Sequence, residues 1–324
     1  MTAPATPTTG GLLRTERSRE ARTAYTLLLP AIIVLVALVF IPILWNVLIG
    51  LQHLRLLDLR SFGPLSFLEN GLTFDNFALV LSQGDFWVTV LRTVVYATLG
   101  AGFSIALGLW AALAMSKPFR GRGIVRALLL LPYVTPVIAA TFTWKTMLSP
   151  QYGALNAWGS ALFGMPRTDF LGQGSLPFDV LGVQGRFPLS FAMVIAFEAW
   201  RYFPFAYIFI QARMQAIPGS LYEAARVDGA TIRQQFRHVT LPSLSGVLVL
   251  LFLLRFIWNF NDFTNIFLLT GGQSGTQVIA VEIYHWLIAR NNPGAAAALS
   301  LLLAGVLVVA LAIYFRFFAR KEDM

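Results

Sequence analysis

Two groups of residues in this chain of 324 could do chemistry, and both stand in an apolar sequence that leaves little room for them. The first is Glu198, Arg201, Tyr202 and Phe205, spaced i, i+3, i+4, i+7. Downstream come Arg255, Asn259 and Asp262, spaced i, i+4, i+7, with Trp258 alongside. On helices this spacing draws each set into one stripe. Two arginines and two carboxylates sum to zero charge. A charge facing lipid costs about 2.5–3.5 kcal/mol even on the lenient insertion scale, so both stripes should face a bundle interior or a watery cavity. Carboxylate, amide and guanidinium groups can bond hydroxyls, while Trp258, Tyr202 and Phe205 offer flat apolar faces, which together is the chemistry of a sugar-like site. The same charges can equally form helix–helix salt bridges that touch no ligand. Trp200, Phe203 and Phe260 beside them read as packing.

The second group is a polar island between two long apolar runs. It reads Glu223-Ala224-Ala225, then Asp228-Gly229, then Val239-Thr240-Leu241-Pro242. Ser220 and Glu223 have the spacing of a capping box, which predicts a short helix from near Leu221 that stops at Asp228-Gly229. Thr231 and Gln234 repeat the spacing, and this second helix is expected to end near Leu241-Pro242. Glu223 is then either a capping glutamate or a carboxylate presented at an interface.

Other chemistry is excluded by what the sequence lacks. There are no cysteines, hence no disulfide, thiolate metal site or cysteine nucleophile. None of Lys117, Lys145 and Lys321 lies in a phosphate-binding G-x-x-x-x-G-K-[ST] loop, so the chain does not hydrolyse ATP itself. His53, His238 and His285 are scattered, without an H-E-x-x-H pair, and no catalytic or metal site is assigned.

The elements that must position these groups follow from composition. The chain is 57% hydrophobic and 12% charged, against about 25% charged in an ordinary soluble domain, which marks an integral membrane protein. A crossing helix needs about 20 mostly apolar residues. Six segments qualify, at 25–50, 87–115, 124–147, 188–214, 244–268 and 294–318. The expected organisation is all-α: a mobile tail over 1–23, a six-helix domain over 24–319 that includes the polar loop 213–243, and a tail over 320–324. The first span is too long for a signal-peptide core and is read as retained.

Fifteen of the lysines and arginines fall in the N-terminal tail, the second-to-third connection, the polar loop and the C-terminus. Five fall on the other side, at Arg55, Arg60, Arg167, Arg186 and Arg290. That asymmetry predicts cytoplasmic termini and a cytoplasmic polar loop, and it explains the net charge of +9 without nucleic acid. Arg92 and Lys145 near outer span ends read as snorkelling cations. The connections 51–86 and 148–187 suit folded outer caps. Prolines 30, 42, 132, 136 and 204 predict kinks, which either shape a gating cavity or serve packing alone.

The polar island resembles the EAA loop of bacterial ABC-importer permeases, with Val239 where that family has isoleucine. The likeness to sugar-type permeases runs from about residue 24 onward. It includes Leu131-Pro132-Tyr133, Trp144-Lys145, Gly153-Ala154-Leu155-Asn156, Trp200 to Phe205, Trp258 to Asp262, and Leu268-Leu269-Thr270-Gly271-Gly272. The resemblance implies a type I importer permease in a bacterial inner membrane, moving a sugar or sugar-like solute. Glu223, Ala224, Ala225, Asp228, Gly229, Leu241 and Pro242 would grip two ABC ATPase subunits. ATP and Mg would sit on those subunits and no cofactor on this chain. A second homologous permease and an external solute-binding protein would complete the system. In maltose-type relatives the substrate contacts fall at offsets matching the two stripes. The competing reading is a self-contained secondary transporter or channel that carries protons on Glu198 and Asp262. It would need no EAA pattern, and no strong inverted repeat is visible.

Overall fold

The computed structural model describes residues 10–60, 63, 71–180 and 183–318. Helix α1, Gly10–Leu35, runs through a π turn at Val36–Phe40 into α2, Ile41–Gly50. Within the expected tail 1–23, the described residues are helical from Gly10 on. Residues 12–23 hold no Gly or Pro and are rich in the good helix formers Leu, Arg, Glu and Ala. Residues 1–9 and the expected tail 320–324 lie outside the described residues.

Among the described residues, five helices are long and apolar enough to cross a membrane. A sixth crossing forms if a bent pair counts as one, which keeps the six-span architecture. That pair is α5, Arg122–Val134, and α6, Val137–Met147, which meet at 97° rather than forming one straight span over 124–147. The break follows from Pro136, whose ring pushes the preceding Thr135 out of the helical region to ψ 132°.

Helix α4, Phe86–Ala114, and α8, Leu189–Gln215, form the most extensive helix pair. Small residues on α4 permit this. A Cβ added at Gly108 would stand 2.7 Å from Ala206 Cβ and 2.8 Å from the Tyr207 amide nitrogen. One added at Gly100 would stand 2.8 Å from Asn259 Nδ2 and 3.0 Å from Glu198 Cγ. Small-to-small contact of this kind lets backbones approach within a bilayer, where apolar surface alone drives no association.

After α8 come the short helices α9, Gly219–Val227, and α10, Ile232–Gln235. The second was expected to end near Leu241-Pro242. It continues instead through a π turn, Phe236–Thr240, into α11, Leu241–Phe260. Proline clashes with the carbonyl four residues back in an α-helix, and the wider π turn relieves this. The Leu241 amide bonds the Phe236 carbonyl five residues earlier, and the Ile41 amide bonds that of Val36 in the same way just before Pro42. The fifth crossing therefore covers Ile232–Phe260 rather than 244–268. The chain breaks at Asn261 and restarts as α12, Thr264–Thr270, where the Asp262 carboxylate accepts from the Asn265 amide at 3.3 Å.

The described residues of the connections 51–86 and 148–187 include α3, Asp75–Leu81, in the first and α7, Ala154–Phe163, in the second. The second also holds an antiparallel hairpin of β1, Leu176–Val180, and β2, Val183–Phe187, so the helical class carries one small sheet. Helix α13, Ile279–Tyr284, precedes the last crossing, α14, Pro293–Phe318.

Candidate functional site

Helix periodicity brings Glu198, Arg255 and Asn259 to one buried place, and the break after Phe260 sets the half-buried Asp262 beside them. The Arg255 guanidinium bonds the Glu198 carboxylate through Nη2, and the same nitrogen donates to Asn259 Oδ1 at 2.7 Å. Glu198 and Arg255 are each 1% exposed, so this ion pair is fully withdrawn from water. The carboxylate can bear that only because its other oxygen is also occupied, by Asn265 Nδ2 at 2.7 Å and Tyr96 Oη at 3.1 Å. Tyr96 Oη lies 2.6 Å from Asp262 Oδ2 as well. The result is a polar knot joining α4, α8, α11 and α12. Gly100 lies against it, and a side chain there would strike Asn259 and Glu198.

The remaining stripe residues point elsewhere. Arg201 donates from Nη1 to the Thr135 carbonyl at 3.0 Å, the acceptor freed by the kink before Pro136. Its Nε is buried with no partner among the described residues. Beside it lies an aromatic face. Tyr202 meets Tyr133 edge-on at 6.0 Å, Phe205 lies 6.1 Å from Tyr133, and Phe205 lies 5.2 Å from Trp258. Tyr133 is 40% and Trp258 46% exposed, so this face is open where the knot is closed. The two parts meet at Arg255, whose guanidinium stands 3.8 Å over the Tyr202 ring and 5.7 Å from the Trp258 ring centre. Trp200 packs against Trp144 and Phe197, and Phe260 is buried in the core, as expected of packing residues. Lys145, read as a snorkelling cation, donates to the Leu268 carbonyl in the last turn of α12 at 3.1 Å.

The polar loop has its own geometry. No residue of α9 is buried, and Leu221 and Val227 are 47% and 89% exposed. The Ser220–Glu223 capping box does not form. Pro218, with ψ 130°, starts the helix at Gly219, which moves Glu223 past the capping position. The Glu223 side chain is exposed and hydrogen-bonds no other described residue, so the capping alternative for it falls away. Helix α9 stops at Asp228 and Gly229, the latter at φ +76°. The Gly229 amide bonds the Arg226 carbonyl and the Ala230 amide that of Ala225, the paired closure of a Schellman turn. The second capping box forms as expected: Gln234 N–H donates to Thr231 Oγ1 at 3.3 Å, and Thr231 N–H to Gln234 Oε1 at 2.8 Å. Glu223, Ala224, Ala225, Asp228 and Gly229 thus share the projecting loop, while Leu241 and Pro242 begin α11.

Tyr96 and Asn265 were not among the expected site residues, although both complete the knot. The available signal was the run Thr89, Thr93, Tyr96, Gly100, Ser104 and Gly108, polar or small residues every three or four positions along α4. Among the described residues no group of three or more His, Cys, Asp or Glu side chains could hold a metal ion.

Residues 104–321 match the family described as binding-protein-dependent transport system inner membrane component. The inner membrane ABC transporter permease protein YcjO of Escherichia coli (strain K12) is 37% identical over 280 residues, covering 86% of this chain and 88% of that protein. The trehalose/maltose transport system permease protein MalF of Thermococcus litoralis is 32% identical over 265 residues, covering 82% of each. A solved bacterial ABC transporter involved in the import of the acidic polysaccharide alginate shares the fold with a TM-score of 0.75. It is 23% identical and covers 95% of this chain and 98% of its own.

Proposed function

We propose that this chain, which belongs to the family of binding-protein-dependent transport system inner membrane components and is therefore a non-catalytic permease subunit of an ABC importer, carries a sugar-like solute past its aromatic face. The observation that carries the reading is the division of the two stripes. Glu198, Arg255 and Asn259 are spent on one another. Trp258 and Tyr133 remain exposed, with the half-buried Tyr202 and Phe205 between them and the buried Arg201 behind, and flat rings beside a guanidinium suit a polyhydroxylated solute. Arg201 supplies the hydrogen bonds, the rings supply stacking, and the knot holds the two helices that carry them.

In this reading α9 is the contact for the ATPase subunits. An isolated short helix that buries nothing and exposes Leu221 and Val227 has the form of a knob awaiting a groove. The Schellman turn at Gly229 fixes its exit, and the Tyr222 hydroxyl, 3.0 Å from Thr240 Oγ1, ties it to the helix that continues into the membrane. Motion of two ATPases carrying ATP and Mg would reach the aromatic face along that route. The loop and both termini are cytoplasmic, a second homologous permease closes the cavity, and an external binding protein delivers the solute. A proton-driven carrier using Glu198 and Asp262 is set aside, because the family is that of ABC permease subunits.

Reconstituted complexes with the solute-loaded binding protein test this. Tyr202→Ala and Trp258→Ala should lower uptake while the complex still assembles. Glu223→Lys should leave the permease inserted and reduce solute-stimulated ATP hydrolysis. Normal uptake and solute preference in both aromatic variants would refute the aromatic path, and normal coupling in Glu223→Lys would refute the α9 contact.

A further inference from the structure

We propose that the buried knot is a proton site: Asp262 carries a hydrogen on Oδ2 and donates it to Tyr96 Oη, which donates its own hydrogen to Glu198. The argument is a count of hydrogens. Tyr96 Oη lies 2.6 Å from Asp262 Oδ2 and 3.1 Å from Glu198 Oε2, and the Tyr96 side chain is fully buried. A phenol has one hydrogen to give. Once it points at one carboxylate, the other contact sets lone pair against lone pair at hydrogen-bond distance, unless that carboxyl brings a hydrogen of its own.

The surroundings decide which carboxyl that is. Glu198 accepts from the Arg255 guanidinium on one oxygen and from Asn265 Nδ2 at 2.7 Å on the other, and its charge is matched by Arg255. Asp262 accepts, apart from the tyrosine contact, one backbone N–H at 3.3 Å on Oδ1 and shares the Asn265 side chain whose Nδ2 sits on Glu198. The extra hydrogen belongs on the group with fewer donors and no cation of its own. The other cations of the neighbouring elements are engaged or placed elsewhere. Arg201 bonds the Thr135 carbonyl, Lys145 bonds the Leu268 carbonyl, and Arg92 lines a separate cavity with Gly174 and Ser274. With Asp262 neutral, the knot has zero net charge, as groups withdrawn from water require. Asp262 is only partly buried, which leaves a route for the proton to exchange.

This inference holds whichever solute passes, so its test stands apart from transport. Asparagine at 262 can still donate to Tyr96 Oη. Asp262→Asn should therefore match the wild type in assembly and melting temperature at neutral pH, whereas Asp262→Ala should lower the melting temperature of the complex. The folded state holds a proton that the unfolded chain releases at neutral pH, so wild-type stability should fall as pH rises through the Asp262 titration. Asp262→Asn should lose that slope. Infrared spectra of the assembled complex should show a protonated-carboxyl band at neutral pH that Asp262→Asn abolishes and Tyr96→Phe shifts. Absence of such a band, or an Asp262→Asn complex that fails to assemble or melts as low as Asp262→Ala, would overturn the proposal.

Discussion

Replacing Gly108 by alanine tests whether the α4–α8 contact is built on missing side chains. The added Cβ would lie 2.7 Å from Ala206 Cβ, 2.8 Å from the Tyr207 nitrogen and 3.0 Å from the Phe203 carbonyl oxygen. Carbon atoms pack best at about 3.5–4.0 Å, so the shortfall is close to 1 Å. None of the three is the end of a flexible side chain that could swing aside, and the two helices must part along their length. Such overpacking costs about 1–3 kcal/mol. Alanine also gains about 1 kcal/mol over glycine in a helix, which masks part of the clash. Gly102, on the same helix with nothing within 4 Å of its added Cβ, supplies the control because the propensity gain is common to both. Subtracting the two variants leaves the clash alone, so Gly108→Ala should be less stable than Gly102→Ala by about 1–3 kcal/mol. Thermal unfolding of the purified complex, at fixed protein and lipid concentration, reads the difference. Equal stability of the two alanine variants would refute the close approach of α4 and α8.

Three further outcomes follow from the same geometry. Glu198→Ala leaves the Arg255 charge buried and unpaired and should cost about 3–5 kcal/mol, whereas the double change Glu198→Gln with Arg255→Met should recover most of that loss, read by comparing melting temperatures of the two variants and the wild type. Thr231→Ala removes the formed capping box and should destabilise by about 1 kcal/mol, seen as faster local amide exchange over 231–240. Gly229→Val forces a β-branched residue to φ +76° at a cost of about 1–2 kcal/mol, and should reduce solute-stimulated ATP hydrolysis more than binding of the loaded external protein.

The outline of the site was legible because charges are costly in an apolar chain. Glu198, Arg201, Arg255 and Asp262 stand out in any span, and helical spacing brings Glu198, Arg255 and Asn259 together. Partnership was not legible. Arg201 and Arg255 look alike in sequence, yet one reaches the Thr135 carbonyl and the other is locked to Glu198, because the bend at Pro136 presents a free acceptor to only one of them. A proline in a membrane helix also has more than one outcome. Pro136 breaks its helix by 97°, whereas Pro242 follows a π turn and α11 runs on beyond it, so the sequence rule that ends a helix there failed. Tyr96 was passed over because a single tyrosine in an apolar run carries no charge to mark it, and Asn265 because it too is uncharged.

That failure bears on how the site works. The expected zero net charge was reckoned over two stripes, as if all four charges faced one cavity. In the structure the cancellation is local: Glu198 and Arg255 neutralise each other inside the knot, and Arg201 is left beside the aromatic face. Asn259→Ala therefore changes meaning. Read as a cavity residue, Asn259 could be trimmed at little structural cost. As an acceptor for the buried Arg255, it leaves a donor unsatisfied when removed, at about 1–3 kcal/mol. The expected result is a complex with lowered melting temperature and unchanged solute preference. Tyr202→Ala should show the opposite pattern, and the contrast between these two neighbours on facing helices separates the lock from the path. A change of solute preference in Asn259→Ala at wild-type stability would place the knot in the path and refute the division.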